Sequence, residues 1–297
     1  MAKSLCLVAT LGGLLLSVAL SAYRLRHQVA QVDLDAVSAL IRAQFAPGDL
    51  VVVEPSTLSG PRERLGDLPL VEPYSLEAAD LDGVRRVHLI HLDVLGVRTD
   101  FAEILARVAE REAFATFGRV QVTRFRLRHP TRTLFDLRAQ LGEARVRARY
   151  ADGVTAPCDR FERDRYLCPR DPAWNYVGRD TLAIDHQPRD CVWMHPVANG
   201  GRLEIELPPM TAPGSMTIAA AFGFAAEAIG RVRRPVHIEL QRDADVLLAL
   251  DHEPREGFER VRVPLAASPA PLTLVLSTSD NGAAHLCGSI RIVEDAS

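Results

Sequence analysis

The chain is short of aromatic residues and almost without lysine, Lys3 being its only one. Tryptophan, tyrosine and phenylalanine make up 6% of the 297 residues, and from Met194 to Ser297 the only aromatics are Phe222, Phe224 and Phe258. A wide ring platform for stacking sugars or bases is therefore missing from the carboxy-terminal third. Also missing are G-x-S-x-G, G-x-G-x-x-G, a Walker loop, H-E-x-x-H and an EF-hand loop. Their absence weighs against esterase, dinucleotide, nucleotide-hydrolase, zinc-protease and calcium-sensor chemistry. No C-x2-C or H-x3-H spacing occurs, so neither a metal site nor a cofactor is expected. Neither sign of charge dominates: 35 basic and 38 acidic residues leave a formal charge of -3. That balance excludes nucleic acid as the expected partner. A bias of arginine over lysine this complete follows codon composition, so the mere number of arginines carries no functional weight.

What is present is an ordinary globular composition: 47% hydrophobic, 25% charged, mean hydropathy +0.02. Disorder, collagen and a polytopic membrane protein are excluded, and the length fits two domains. Residues 5–22 form a chargeless apolar run behind Lys3, long enough to span a bilayer. Residues 1–22 are therefore expected to be a transmembrane signal anchor. Residues 23–46 follow as a juxtamembrane helix, with Val29, Val32, Val37, Leu40 and Ile41 near helical spacing and Pro47-Gly48 as its stop. Leaving out Cys6 in the apolar run, four cysteines remain: Cys158, Cys168, Cys191 and Cys287. An even set suggests disulfides and an oxidising compartment. Three pairings are open; the preferred one joins Cys158 to Cys168 across a short loop and Cys191 to Cys287 across the carboxy-terminal segment. The chain is thus expected to be membrane-anchored and extracytoplasmic.

Residues 47–128 read as a small α/β domain. Strands are expected at 50–53, 84–92 and 120–127, with a helix over 101–117 capped by Thr99-Asp100 and ended by Gly118. Residues 129–190 read as a β-rich junction with a disulfide hairpin, turned at Asp152-Gly153. Residues 191–297 carry short alternating strands about ten residues apart, the pattern of an antiparallel β-sandwich of jelly-roll type. The expected class is α+β in two domains.

Two resemblances follow. The segments CVWMHP, GGRLEIELPP, PVHIELQRDADVLLAL, FERVRVPL and LTLVLSTSDNGAAHLCGSIRI, within residues 191–293, resemble a galactose-binding-like jelly-roll module. That resemblance implies recognition of cell-surface sugars, with a structural calcium ion in some members. The missing tryptophan and tyrosine after Met194 depart from the binding members. The segments PGDLVVVEP, VRRVHLIHLD and GRVQVTRFRL, within residues 36–127, resemble the soluble lobe of membrane glycosyltransferases that use lipid-linked sugar donors. With one apolar span, the chain would have the accessory lobe without the catalytic machinery, and a membrane glycosyltransferase becomes a candidate partner.

Three groups of residues could carry chemistry. His88 and His91 lie three apart on a strand and point to opposite faces, so they cannot chelate one metal. His91 and Asp93 share a face, and Glu54 ends the preceding strand. In parallel strands all three sit at carboxyl ends, where open sheets bind ligands; they are the candidates for general acid-base work, against the plainer role of loop caps. Arg124, Arg126 and Arg128 alternate on one strand, and Arg145, Arg147 and Arg149 on another. Paired as neighbours, the triplets would offer a surface for an anionic glycan or lipid headgroup; otherwise they are solvated faces neutralised by Asp159, Glu162 and Asp164. Trp174, Trp193, Tyr166 and Tyr176 fall within residues 166–193, Trp174 and Tyr176 being candidates for a stacking platform, and packing the competing role. His195 reads as structural and Asp280-Asn281-Gly282 as a turn. The leading expectation is a non-catalytic accessory or binding protein of envelope glycan metabolism. The alternatives are an envelope hydrolase or transferase using Glu54, His91 and Asp93, and a purely structural envelope component.

Overall fold

The computed structural model describes residues 17, 29–54, 59–71, 76, 78–92, 101–172, 175–210 and 215–295. The expected anchor at residues 1–22 lies outside this set apart from Ser17, and among the described residues no helix is long and apolar enough to cross a membrane. The chain is mostly strand with few helices. It divides into two units: residues 1–74 with 85–128, and residues 75–84 with 129–297.

In the first unit, α1 (Gln31–Gln44) buries Leu34, Val37 and Ile41, spaced as one helical face requires. It stops where Phe45 takes extended backbone and donates its N–H to the Ile41 carbonyl. The described part of the expected juxtamembrane helix is thus the helix layer of this unit, because those three side chains pack with Val51, Val53 and Ile90 of the sheet. The sheet order is β2-β1-β3-β5-β4, formed by β1 (Asp49–Glu54), β2 (Leu70–Val71), β3 (Arg86–Leu92), β4 (Ala109–Phe117) and β5 (Val120–Leu127). β1 runs parallel to β2 and β3, while β5 is antiparallel to both of its neighbours. Every residue of β1 is buried, which is why Leu50–Val53 is continuously apolar rather than alternating. Between β1 and β2 the chain forms the short α2 (Ser59–Leu65).

The helix expected over 101–117 is shorter. α3 covers Phe101–Val108, and Ala109–Phe117 is strand β4. Ala109-Glu110-Arg111-Glu112-Ala113 has strong helix propensity, but pairing along all of β5 overrides it. The hairpin is closed by Gly118 at φ 54°, and an added Cβ there would also collide with the Asp33 carboxylate.

The second unit is a β-sandwich. Its strands are β6 (Thr131–Asp136), β7 (Arg145–Arg149), β8 (Thr155–Pro157), β9 (Arg160–Glu162), β10 (Arg165–Leu167), β11 (Tyr176–Ile184), β12 (Gln187–Met194), β13 (Arg202–Leu207), β14 (Met216–Phe224), β15 (Val236–Arg242), β16 (Asp245–His252), β17 (Glu259–Leu265), β18 (Leu272–Ser277) and β19 (Leu286–Asp295). One sheet has the order β17-β14-β19-β12-β11-β10-β9, with β6 also on β19; the other has the order β16-β15-β18-β13-β7-β8. Alternate residues of both sheets, among them Ile205, Ile238 and Leu274 from one and Ile218, Phe222 and Ile292 from the other, share one core, as two inner faces of a sandwich do. Residues 129–190 are not a separate junction: β6 joins one sheet, and β7 and β8 join the other. Hydrogen bonding of β6 to β19 and β7 to β13 draws the segment into the sandwich that was expected to begin at residue 191.

Both preferred disulfides are present, Cys158–Cys168 and Cys191–Cys287. The second links neighbouring strands β12 and β19. A strap from the middle of the first unit's sequence also belongs to this unit. Asp80 accepts from Arg260 at 3.0 Å, Asp82 pairs with Arg262, and Arg291 donates to the Asp82 carbonyl at 2.6 Å. The Gly83 N–H donates to the Thr131 hydroxyl at 2.7 Å.

The two disulfides differ in sequence separation, 10 against 96 residues. Chain-entropy arithmetic assigns about 3 kcal/mol to the short loop and about 5 kcal/mol to the long one. Urea titration of Cys168→Ala and Cys287→Ala, each with its partner also replaced, is expected to show the larger loss of stability for the second pair. Equal losses would remove the loop-closure explanation.

Candidate functional site

The carboxyl ends of β1 and β3 bring two expected site residues together. Glu54 is cross-strand partner to His91, and the His91 Nδ1–H donates to the Glu54 carboxylate at 3.0 Å. Glu54 is buried, whereas the His91 side chain keeps 27% of its surface exposed. Asp93 lies outside the described residues. His88 faces the opposite side of the sheet, buried beneath α1, with Nε2 3.2 Å from Asp49. Burial pushes its pKa down, the behaviour of a core histidine.

The two arginine triplets lie in different sheets and are not on neighbouring strands. Arg124 and Arg126 lie on β5 of the α/β sheet with Arg128 just beyond it, while Arg145, Arg147 and Arg149 lie on β7 of the sandwich. Because β5 is flanked by β3 and β4, and β7 by β13 and β8, the expected pairing of the triplets fails. Their charge is also met by partners other than those expected. Arg124 and Arg126 pair with Glu112 and Glu110 of β4, and Arg128 approaches Glu110. Arg145 and Arg147 reach Glu206 and Glu204 of β13. These are cross-strand pairs, which only the strand order could reveal.

Trp174 lies outside the described residues, and the rest of the aromatic group is packed. Tyr176 stacks on Trp193 at 5.4 Å and Arg165 sits over its ring at 4.2 Å, so strands β10 and β12 cover it from both sides. Its hydroxyl donates to Asp180 at 2.6 Å. Burial and this carboxylate together push the phenol pKa up. Trp193 also meets His285 at 4.7 Å. Tyr166 donates to the Ala144 carbonyl at 2.7 Å. Asp280 accepts from the Gly282 N–H at 3.0 Å, closing a turn.

The broad accessible feature is the outer face of the six-stranded sheet. Val146 and Ala148 of β7 point into the core and Arg145, Arg147 and Arg149 point out. Strand register aligns Arg149, Arg202, Ser277, His237 and Asp251 in one transverse row across five strands. The adjacent row is Arg147, Glu204, Val275, Glu239 and Ala249. Arg149 and Arg202 face each other directly, and among the described residues neither forms an ion pair. Like charges so placed repel. At the other end of the row the two nitrogens of His237 meet Asp251 at 2.7 Å and Glu239 at 2.8 Å. Residues Arg202, His237, Glu239 and Asp251 were absent from the sequence-based candidates. Their signal was the strict alternation of RLEIEL and VHIELQR, apolar on one face and charged on the other.

No known protein-family model matches the chain, and no curated protein matches it in sequence. Among solved structures, the chain is similar to the CBM51-2 and INT domains of Clostridium perfringens ZmpB, determined in complex with GlcNAc: TM-score 0.31, 13% identity, covering 54% of this chain and 40% of that one. A second structure of those domains gives TM-score 0.28 and 16% identity over 38% of this chain and 25% of that one. The chain thus spans well under half of both. The CBM51 of Clostridium perfringens GH95 in complex with methyl-galactose gives TM-score 0.28 and 16% identity over 39% of this chain and 80% of that one. No residue role is carried across at this level of likeness.

Two imidazoles should titrate in opposite directions. Hydrogen bonds to Asp251 and then Glu239 push His237 above its ordinary value, so its stabilisation is complete below about pH 6.5 and is lost as pH rises through the raised value. Burial depresses His195 to about 4; its stabilisation is complete above about pH 6.5 and is lost as pH falls toward 4, at most about 3 kcal/mol. Proton NMR titration of both rings checks the order, and a His195 midpoint near that of a free imidazole would contradict it.

Proposed function

We propose that the chain is a non-catalytic glycan-binding protein of an extracytoplasmic compartment, and that it holds an anionic glycan on the outer face of the six-stranded sheet. The observation that carries this reading is the directly opposed Arg149 and Arg202 pair, both exposed. Guanidinium groups suit uronate carboxylates and phosphates because they donate two parallel hydrogen bonds. Ser277, Thr273, Gln241 and the carboxylates of the same face supply donors and acceptors for sugar hydroxyls. The triplet on β5 takes a lesser part in this reading, since its guanidinium groups are engaged by Glu110 and Glu112. Tyr176 contributes by holding Arg165 and Asp180 in place rather than by stacking on a sugar.

Two disulfides support an oxidising compartment. Anchoring through residues 1–22 and an accessory relation to a membrane glycosyltransferase belong to the same proposal, supported by the apolar run and by the resemblance of residues 36–127.

The test uses the full-length chain in detergent, titrated calorimetrically with polygalacturonate and, as a neutral control, dextran. Polygalacturonate is expected to bind, more weakly as salt rises from low ionic strength, because screening shortens the reach of exposed charges to about 8 Å at 0.15 M. Arg149→Glu combined with Arg202→Glu should lower the affinity at least about tenfold, roughly 1.4 kcal/mol. Unchanged affinity in that variant, with an unchanged melting curve, would end the proposal for this face.

A further inference from the structure

The row of Arg149 and Arg202 contains a group whose charge is not fixed. His237 lies two strands from Arg202, with Ser277 between them, a separation of about 10 Å. Its Nδ1 is 2.7 Å from the Asp251 carboxylate of β16, and its Nε2 is 2.8 Å from the Glu239 carboxylate of β15. A neutral imidazole has a single N–H and donates to only one of them. Carboxylates at hydrogen-bond distance from both nitrogens therefore define the imidazolium, which donates to each. On the other side of His237, β18 contributes Ser277 and Val275 to these rows, neither of them charged. Beyond β18, β13 brings Arg202 and Glu204. Hydrogen bonds to Asp251 and then Glu239 raise the pKa of the ring. Its charge is therefore complete below about pH 6.5 and is lost as pH rises through the raised value.

The proton on this ring decides the charge balance of the face. Across the transverse rows, Arg145, Arg147, Arg149 and Arg202 stand against Glu204, Glu206, Glu239 and Asp251. Guanidinium groups and carboxylates are equal in number there, so the imidazolium is what makes these rows net positive. Once the ring is neutral, one of its two acidic neighbours loses its donor. Asp251 is 64% exposed and can turn to water, whereas Glu239 is half-buried and also accepts from the Gln241 amide. Both keep their negative charge, and Glu239 acts electrostatically on Arg202. A carboxylate that draws on Arg202 competes with a bound anion for the same guanidinium group. We propose that His237 gates this face, which holds an anionic glycan while the imidazole is protonated and releases it once the imidazole is neutral. The gate rests on the reading of the face as a surface for anionic glycans. Uronate carboxylates stay ionised above about pH 5, so the ligand keeps its charge while the ring titrates.

The experiment is calorimetric titration of the full-length chain in detergent with polygalacturonate, from about pH 5.5 to about pH 9 at fixed ionic strength. The variants His237→Gln and His237→Arg are measured beside it. Wild-type affinity is expected to fall at least about threefold across that range, the effect of one unit charge about 10 Å from the ligand. Its midpoint should match that of the His237 ring followed by proton NMR, a comparison that needs neither variant. His237→Gln has no proton to lose and should bind weakly throughout, whereas His237→Arg keeps its charge and should bind tightly throughout. The other imidazoles and the amino terminus are the same in all three proteins, so a difference between the profiles belongs to position 237. A wild-type affinity that does not change with pH would overturn the gate, as would a fall that persists undiminished in both variants; either result leaves the anionic-glycan reading standing. Absence of binding by the wild type at every pH would overturn that reading, and the gate with it.

Discussion

The sandwich is organised around β19. This ten-residue strand hydrogen-bonds to β14 along one side and, along the other, to β12 over residues 286–288 and to β6 over residues 291–295. It also holds Cys287, bonded to Cys191, and sends Ile290 and Ile292 into the core. Since β19 follows β6, β12 and β14 in the sequence, its pairings with them cannot form until residues 286–295 are available. Such long-range pairing folds slowly because loop closure precedes the contacts that reward it. The wide disulfide acts on that same difficulty by restricting the unfolded chain.

Polarity is distributed differently over the two sheets of the sandwich. The eight-stranded sheet covers part of its outer face with its own chain: the strap at 80–83 lies over Arg260, Arg262 and Arg291, and Tyr176 and Trp193 pack there with Arg165 and His285. The six-stranded sheet shows an outer face of charged and hydroxyl side chains in transverse rows. In the row of Arg149 and Arg202 charge runs from arginine at β7 and β13 to Asp251 at β16. A surface graded in this way orients a charged chain laid across it, and orientation is the part of recognition that electrostatics supplies best.

Features that depend on local pattern were legible in the residues. The apolar run 50–53 announced a strand buried on both faces, and the spacing of Val37 and Ile41 announced a helix. The alternation of Arg145, Arg147 and Arg149 revealed a common outward face, and the positions of Glu54 and His91 at strand ends implied that they meet, as they do at 3.0 Å. Features that depend on which strand lies beside which were not legible. Arg147 gave no hint of Glu204, which is brought to it from 57 positions away by the pairing of β7 with β13. The helix-favouring residues of β4 concealed a strand, because propensity is a weak local preference and the ladder to β5 is a strong tertiary one. The aromatic residues at 166–193 left a platform and packing both open in the sequence; in three dimensions neighbouring strands close over Tyr176.

The strap gives the chain an unusual connectivity. Covalently, the polypeptide passes from the first unit into the second after β2, returns at β3, and crosses again after β5. Three crossings instead of one mean that the polypeptide links the two units covalently in three places. Severing the peptide bond at residue 128 would leave both pieces still bound through Asp80 and Asp82, and a fragment starting at residue 129 would lack the acidic partners of Arg260 and Arg262. Guanidinium groups stripped of their carboxylates in partly buried positions are costly. For this protein the natural cut for expression or transplantation is therefore not the sequence boundary between the units: the smallest separable piece that keeps the sandwich intact includes residues 75–84.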